Sequence, residues 1–190
     1  TCAIGQIIPA AKRIKLLGIS SISTNGIRRG VITNRDELIE KLEKVMTDAE
    51  LMANTKVKSA ILSITGEHIR CLNTQAAIAL NRVNGAPGGI VERTIHDGDI
   101  SQVLDLAQAV SLPVDRDILH TLPQEYLVDT LEEIKNPVGM TGRRLEGRVH
   151  LVTAATTAMN NLVSCAEELG ITVDGLVFQP LASALATLQK

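Results

Sequence analysis

Leu122-Pro-Gln-Glu-Tyr126, Asn136-Pro-Val-Gly-Met-Thr-Gly142, Val149-His-Leu-Val-Thr153 and Val177-Phe-Gln-Pro-Leu-Ala-Ser-Ala-Leu-Ala-Thr-Leu188 follow one another along the last third of the chain. Taken in order they read as a strand, a Pro/Gly turn, a second strand, and a strand that runs into a helix. Pro123 demotes its strand to an edge position or a bulge, because proline donates no ladder hydrogen bond. Asn136-Pro-Val-Gly is loop chemistry. Pro180 suits the first turn of a helix, where the missing N–H has no partner to lose. Between the last two segments, Thr156 to Leu169 carries Met159, Leu162, Val163 and Ala166 at helical spacing, and Gly170 is a stop signal.

Upstream, Thr1 to Ile8 and Ile14 to Ser23 read as two strands of a hairpin. The glycines of Asn25-Gly-Ile-Arg-Arg-Gly30 suit a turn. Asn34-Arg-Asp-Glu37 is a helix start, with Asn at the cap and Glu three residues on. Leu38, Ile39, Leu42, Val45, Met46, Ala49 and Met52 then fall on one helical face, with the two methionines expected in the core. Lys56 to Thr65 and His68 to Leu80 read as strands joined by a tight turn at Gly66-Glu67. Thr94-Ile-His-Asp97 reads as a second cap, followed by a helix through Ile100, Val103, Leu104, Ala107 and Val110 that ends by Pro113. The order β-β-α, β-β-α-β-β, α-β-α predicts an α/β architecture with one compact insertion.

Composition narrows function. The chain has 190 residues, 45% hydrophobic and 21% charged, with a net charge of −2. That mild acidity argues against nucleic acid as the main partner, since phosphate contacts need a basic field. Tyr126 and Phe178 are the only aromatic residues, so a base-stacking surface cannot be built. Cys2, Cys71 and Cys165 are widely spaced and form no Cys-x-x-Cys pair; they read as buried thiols of a reducing compartment rather than a metal or disulfide site. His68 and His150 read as packed or solvated imidazoles. No stretch has the roughly 20 apolar residues of a membrane helix. Gly85-Ala-Pro-Gly-Gly89 lacks the Lys-Ser/Thr ending and the following helix of a phosphate loop, and is not a nucleotide site. The chain opens without Met inside an apolar stretch, so residues are expected upstream.

Six segments taken together resemble the FtsA family of bacterial cell-division proteins, within the actin-like ATPase superfamily. They are Asn25-Gly-Ile-Arg-Arg-Gly30, Gly66-Glu-His-Ile69, Pro123-Gln-Glu-Tyr126, Asn136-Pro-Val-Gly-Met140, Val149-His-Leu-Val-Thr153 and Leu181-Ala-Ser183. The resemblance covers nearly the whole chain. Glu133 stands where the family usually has Gly, and the 85–89 loop replaces an acidic link usual there.

The resemblance implies an actin-like (ribonuclease H-like) α/β fold. Residues 1–56 and 155–190 would be two parts of the first ATPase subdomain, and residues 57–154 a small β-β-α-β-β insertion serving protofilament and partner contacts. It implies a filament-forming scaffold that binds ATP with Mg, tethers the FtsZ ring to the inner face of the cytoplasmic membrane at the division site, and recruits later divisome proteins. Both phosphate loops, the FtsZ-gripping part and the membrane-binding amphipathic helix would lie outside this chain, so no ATP site, and at most weak ATPase activity in the complete protein, is expected. Two candidates remain inside it. Arg143 and Arg144 are either filament or partner contacts or a solvated strand end. Gln179, by comparison with the Glu of DnaK-type chaperones, either orients an attacking water or simply precedes the helix that Pro180 begins. An amide can orient water although it cannot take its proton. The competing readings are a pilus-assembly actin-like ATPase and an actin-fold enzyme such as a sugar kinase. The latter needs a catalytic carboxylate, and Asp97, Asp115 and Asp129 look like cap, loop and strand-end residues.

Overall fold

A computed structural model describes residues 1–11, 13–80 and 93–188. The glycine-rich loop at 85–89 lies outside the described residues. In chain order the elements are β1 (Cys2–Ile8), β2 (Arg13–Ser20), β3 (Ile27–Arg28), β4 (Val31–Ile32), α1 (Arg35–Ala53), β5 (Ser59–Ile64), β6 (Arg70–Ala79) and β7 (Arg93–Thr94). Then come α2 (Asp97–Gln108), β8 (Arg116–Val128), β9 (Leu131–Ile134), β10 (Thr141–Gly142), β11 (Arg144–Ala155), α3 (Thr156–Glu168), β12 (Thr172–Phe178) and α4 (Gln179–Thr187). The chain divides into a discontinuous unit, Thr1–His68 with Ala155–Lys190, and an inserted unit, Ile69–Ala154.

The discontinuous unit has its strands in separate two-stranded ladders. β1 and β2 form the expected antiparallel hairpin, Ile8 opposite Arg13 and Cys2 opposite Ser20. α1 packs across this hairpin. It can come close because residue 18 is Gly: a Cβ there would sit 2.3 Å from the Ala49 carbonyl oxygen of the helix. Asn34 caps α1, its side chain accepting from the Glu37 N–H at 3.2 Å. The Glu37 carboxylate does not close a capping box; it accepts from Asn25 N–H (2.9 Å) and Thr24 Oγ1 (3.2 Å), tying the preceding loop to the first turn. Leu38, Val45 and Ala49 are buried as the spacing required, but Met52 is exposed.

β5 corrects the expected boundary. The resemblance places it in the insertion from residue 57, yet it pairs in parallel with β12, from Ser59 opposite Thr172 to Ile64 opposite Phe178. Residues 57–68 therefore belong with the discontinuous unit. The period-2 alternation of Ala60, Leu62 and Ile64 says that one face is buried, but not which strand lies alongside. β5 and β6 looked like a hairpin because they are neighbours in sequence; the true partner of β5 lies more than a hundred residues downstream. α3 joins β11 to β12 and ends as anticipated, with Gly170 and Ile171 N–H groups bonding to the Glu167 and Ala166 carbonyls.

The inserted unit is one four-stranded sheet, order β6-β11-β8-β9, with α2 against it. β6 and β11 are antiparallel over ten positions, from Ala79 opposite Arg144 to Arg70 opposite Thr153. β7 and β10 make a small second ladder. Ile78, Leu80, Ile95, Val103, Tyr126, Val128 and Leu145 form one buried cluster, and Ala107, Val149 and Leu151 another. Gly147 lets α2 approach: a Cβ would meet Val103 Cγ1 at 2.7 Å. The unit adds β7, β9 and β10 to the expected β-β-α-β-β order and lacks β5. Pro123 lies in β8 before the stretch that pairs with β9, which begins at Tyr126.

Candidate interaction face and strand-end junction

β11 builds the first site by simple alternation. Leu145, Gly147, Val149 and Leu151 are buried, so Arg144, Glu146, Arg148 and His150 project on the opposite face. There the charges pair. Arg144 Nη2 donates to Glu146 Oε2 at 2.6 Å, and Arg148 Nη1 to Glu125 Oε1 of β8 at 2.6 Å, with Glu132 Oε1 of β9 3.9 Å from Arg148 Nη2. Farther along, His150 Nδ1 is 2.6 Å from Asn73 Oδ1 on β6. The neighbouring Glu125 carboxylate raises the affinity of Arg148 for its proton, so this cation stays charged.

Arg143 and Arg144 sit at the mouth of this row, both exposed. Their position is fixed through the backbone. The Asp129 carboxylate, just after β8, accepts from the N–H groups of Arg143 (3.0 Å) and Arg144 (2.9 Å), while the Arg143 carbonyl accepts from Leu80 N–H at 2.7 Å. Asp129 is thus a strand-end clamp, Asp97 opens α2 and Asp115 lies in the turn before β8. The arrangement is a charge-paired sheet surface.

A second polar device in this unit was not foreseen. Arg93 grips the Asp99 carboxylate with both guanidinium nitrogens, at 2.7 and 2.5 Å, and Asp99 also accepts from His96 N–H at 2.9 Å. The guanidinium holds the Asp99 carboxyl below the usual carboxylate range, against the opposing effect of burial. The cap of α2 is therefore His96, not Thr94. An acidic residue three places after a cap is a recognisable signal, but nothing local announces Arg93 as its partner. In the discontinuous unit Glu50 behaves likewise: buried, it accepts from Lys56 Nζ (2.5 Å) and Val57 N–H (2.7 Å), which holds its carboxyl low and fastens the end of α1.

Gln179 belongs to the discontinuous unit. It is exposed, the first residue of α4, and follows Phe178, whose register partner is Ile64. β5 and β12 thus end side by side and release Thr65-Gly66 and Gln179-Pro180 at the same edge. Sites in open α/β sheets gather at such carboxyl ends of parallel strands. Gln179 and the Arg143–Arg144 pair lie in different units and so form separate candidates. Among the described residues no group of three or more His, Cys, Asp and Glu could hold a metal ion, and no helix is long and apolar enough to cross a membrane.

An α/β protein of the actin-like ATPase type, carrying an inserted unit, is the class that this fold defines. Residues 66–153 match the family described as the SHS2 domain inserted in FtsA. Curated relatives named cell division protein FtsA align along nearly the whole chain. The one from Pseudomonas aeruginosa is 35% identical over 183 residues, covering 96% of this chain and 42% of its own length. That from Neisseria meningitidis is 35% identical over 178 residues, covering 94% and 41%, and that from Escherichia coli K12 30% identical over 187 residues, covering 98% and 42%. The chain is thus similar to FtsA cell-division proteins along nearly its whole length, and spans about two fifths of the length of these relatives. Among solved structures, the PilM-PilN type IV pilus biogenesis complex aligns with a TM-score of 0.61 over 96% of this chain and 45% of that one. At 12% identity this likeness is one of fold alone.

Proposed function

We propose that this chain is part of a divisome scaffold: an ATP- and Mg-binding, actin-like filament protein at the inner face of the cell membrane, which tethers FtsZ and recruits later division proteins. One observation carries the reading. The stretch that matches the FtsA insertion, residues 66–153, nearly coincides with the unit that folds around its own core, Ile69–Ala154. An actin-fold sugar kinase has no need of this insertion, and the Asp129 carboxylate is taken up by the N–H groups of Arg143 and Arg144.

Within this reading the open face of the inserted unit, with Arg143 and Arg144 at its mouth, is the contact surface for filament or partner. Gln179 orients the attacking water at the end of the β5–β12 pair. Residues 1–190 contain neither glycine turn of the family's phosphate site, so the chain by itself binds ATP weakly or not at all, a point calorimetry checks directly.

The decisive test is co-sedimentation of the complete FtsA-type protein carrying this chain with lipid vesicles, with and without an FtsZ tail peptide. The expected result is sedimentation with lipid and co-recruitment of the peptide; indifference to both overturns the reading. In the same protein, Gln179→Ala should lower ATP hydrolysis while leaving ATP affinity unchanged. Reversing Arg143 and Arg144 to Glu should leave folding intact and weaken assembly or partner binding.

A further inference from the structure

Two of the six segments that carry the resemblance meet in the discontinuous unit, backbone against backbone. β3 and β4 pair antiparallel, Ile27 opposite Ile32 and Arg28 opposite Val31, which leaves Arg29-Gly30 as the turn. Both turn residues have positive φ, 52° and 83°, as a type I′ hairpin turn requires. The turn is seated on the chain that leaves β5. A Cβ on Gly30 would lie 2.0 Å from the Thr65 carbonyl oxygen, and one on Gly66, whose φ is +146°, would lie 2.7 Å from Gly30 Cα. Neither residue can carry a side chain while the contact holds. Beside it, the Arg29 carbonyl accepts from Glu67 N–H at 3.1 Å. The base of the hairpin is held as well: the Gly26 carbonyl accepts from the N–H groups of Thr33 (2.8 Å) and Asn34 (3.2 Å), and Asn34 caps α1. The hairpin is thus a strut from the first turn of α1 to the end of β5.

That end is shared. Ile64 of β5 is the register partner of Phe178 of β12, so Thr65-Gly66 and Gln179-Pro180 leave the ladder next to each other. Leu181-Ala-Ser183, a third of the six segments, follows at once in α4. We infer that the seat of Gly30 on Gly66 is a positioning contact, which fixes where the chain leaves β5 and, through that ladder end, the place of Gln179; this rests on the proposed role of Gln179 in orienting the attacking water. Arg29 holds a left-handed conformation that non-glycine residues avoid, and strain of that kind gathers at functional sites. With glycine on both sides, no side chain absorbs a displacement, and a shift of the turn passes straight to Thr65. A Cβ on Gly30 would have to retreat by more than ~1 Å to reach van der Waals separation. A misplacement of ~1 Å in catalytic geometry can cost about a hundredfold in rate. The Arg29 side chain is not the agent. Its guanidinium is 3.4 Å from the Glu67 carboxylate, both side chains are largely exposed, and a pair of that kind contributes little.

The first test uses nuclear magnetic resonance on the 190-residue chain and follows the backbone amide of Gln179. Gly30→Ala and Gly66→Ala should each shift it, together with that of Thr65, and leave Leu145 of the inserted unit unmoved. Arg29→Asn keeps the turn, because Asn-Gly is favoured in type I′, and removes the guanidinium; it should leave Gln179 in place. A further variant replaces residues 28–31 by Asn-Gly. It shortens the hairpin by one rung, withdraws the contact without inserting an atom, and should also shift Gln179, so the test holds where an alanine variant does not fold. An unmoved Gln179 amide in the folded variants overturns the proposal.

The second test uses the complete FtsA-type protein. In Gly66→Ala, kcat for ATP hydrolysis should fall about tenfold or more, with KM for ATP within about twofold of the parent. Gly66→Ala combined with Gln179→Ala should be no slower than Gln179→Ala alone, since the contact acts through Gln179. Full additivity, or a loss in Gln179→Ala with none in Gly66→Ala, overturns the proposal. Unchanged hydrolysis in Gln179→Ala removes the water-orienting reading, and the Gln179 amide then decides the positioning contact by itself.

Discussion

The two units solve the same problem unequally. The inserted unit gathers its longest strands into one sheet, lays α2 on it and buries large residues such as Leu80, Ile95 and Leu145 completely. The discontinuous unit distributes its strands over three two-stranded ladders, and most of the exposed large hydrophobics, among them Ile7, Ile14, Leu16, Ile61 and Leu185, belong to it. A two-stranded ladder is marginal by itself, and stability comes from a third strand or a covering helix. The contrast teaches that the insertion is built around a core of its own, whereas the described strands of the discontinuous unit pair only two by two. The inserted unit carries the polar face of β11, and the discontinuous unit the adjacent ends of β5 and β12.

The largest effect that could break this comparison is excision. Arg70 lies opposite Thr153 in the ladder, so the two ends of the inserted unit are adjacent. Residues 69–154 expressed alone should unfold in one cooperative transition by circular dichroism; a non-cooperative melt would show that the module leans on the rest. Next comes the core. Leu145→Ala should cost about 2–5 kcal/mol in chemical denaturation, because a fully buried side chain leaves a cavity.

A smaller effect sharpens the packing claim. Gly147→Ala drives a Cβ into Val103 Cγ1 and should cost about 1–3 kcal/mol. Adding Val103→Ala should recover part of that loss relative to the sum of the single variants, the signature of direct contact. Smaller again is the Arg93–Asp99 clamp. Asp99→Asn should cost roughly 2 kcal/mol near neutral pH, less than the ~3–5 for breaking a wholly buried pair, since Arg93 is 28% exposed. The pH dependence has a definite sign. The folded-state pKa of Asp99 is depressed, so its contribution is present above the unfolded value of ~3.9 and is lost as pH falls through the folded value. The stability gap between the parent and Asp99→Asn should therefore be full at pH 7 and shrink steadily below about pH 4.

How much of this was legible depends on the range of the physics involved. Asn34, Gly170 and Pro180 act within a turn of themselves, and their helix boundaries follow from the sequence. The β1–β2 hairpin is equally local. The inward set of β11 is visible in its alternation, and so is the polar row that includes Arg144. β5 is the counter-example: its pattern is that of a good strand, but its partner is fixed by the crossover through α3, and the expected domain border moved from 57 to 69 in consequence. Arg93 and Glu50 share that character. Each is defined by what tertiary structure brings alongside, and a side chain that must wait for its partner leaves no periodic trace.

Native-state hydrogen exchange on the intact 190-residue chain tests the central claim most directly, because it reads both units under one condition. The account predicts the slowest amides in the β6–β11–β8 sheet of the inserted unit. Amides of β1 and β5 should exchange several powers of ten faster, through local opening. Equal protection of the two sets, or slower exchange at β1 and β5, would contradict the picture of one unit with a core of its own and another whose described strands pair only two by two.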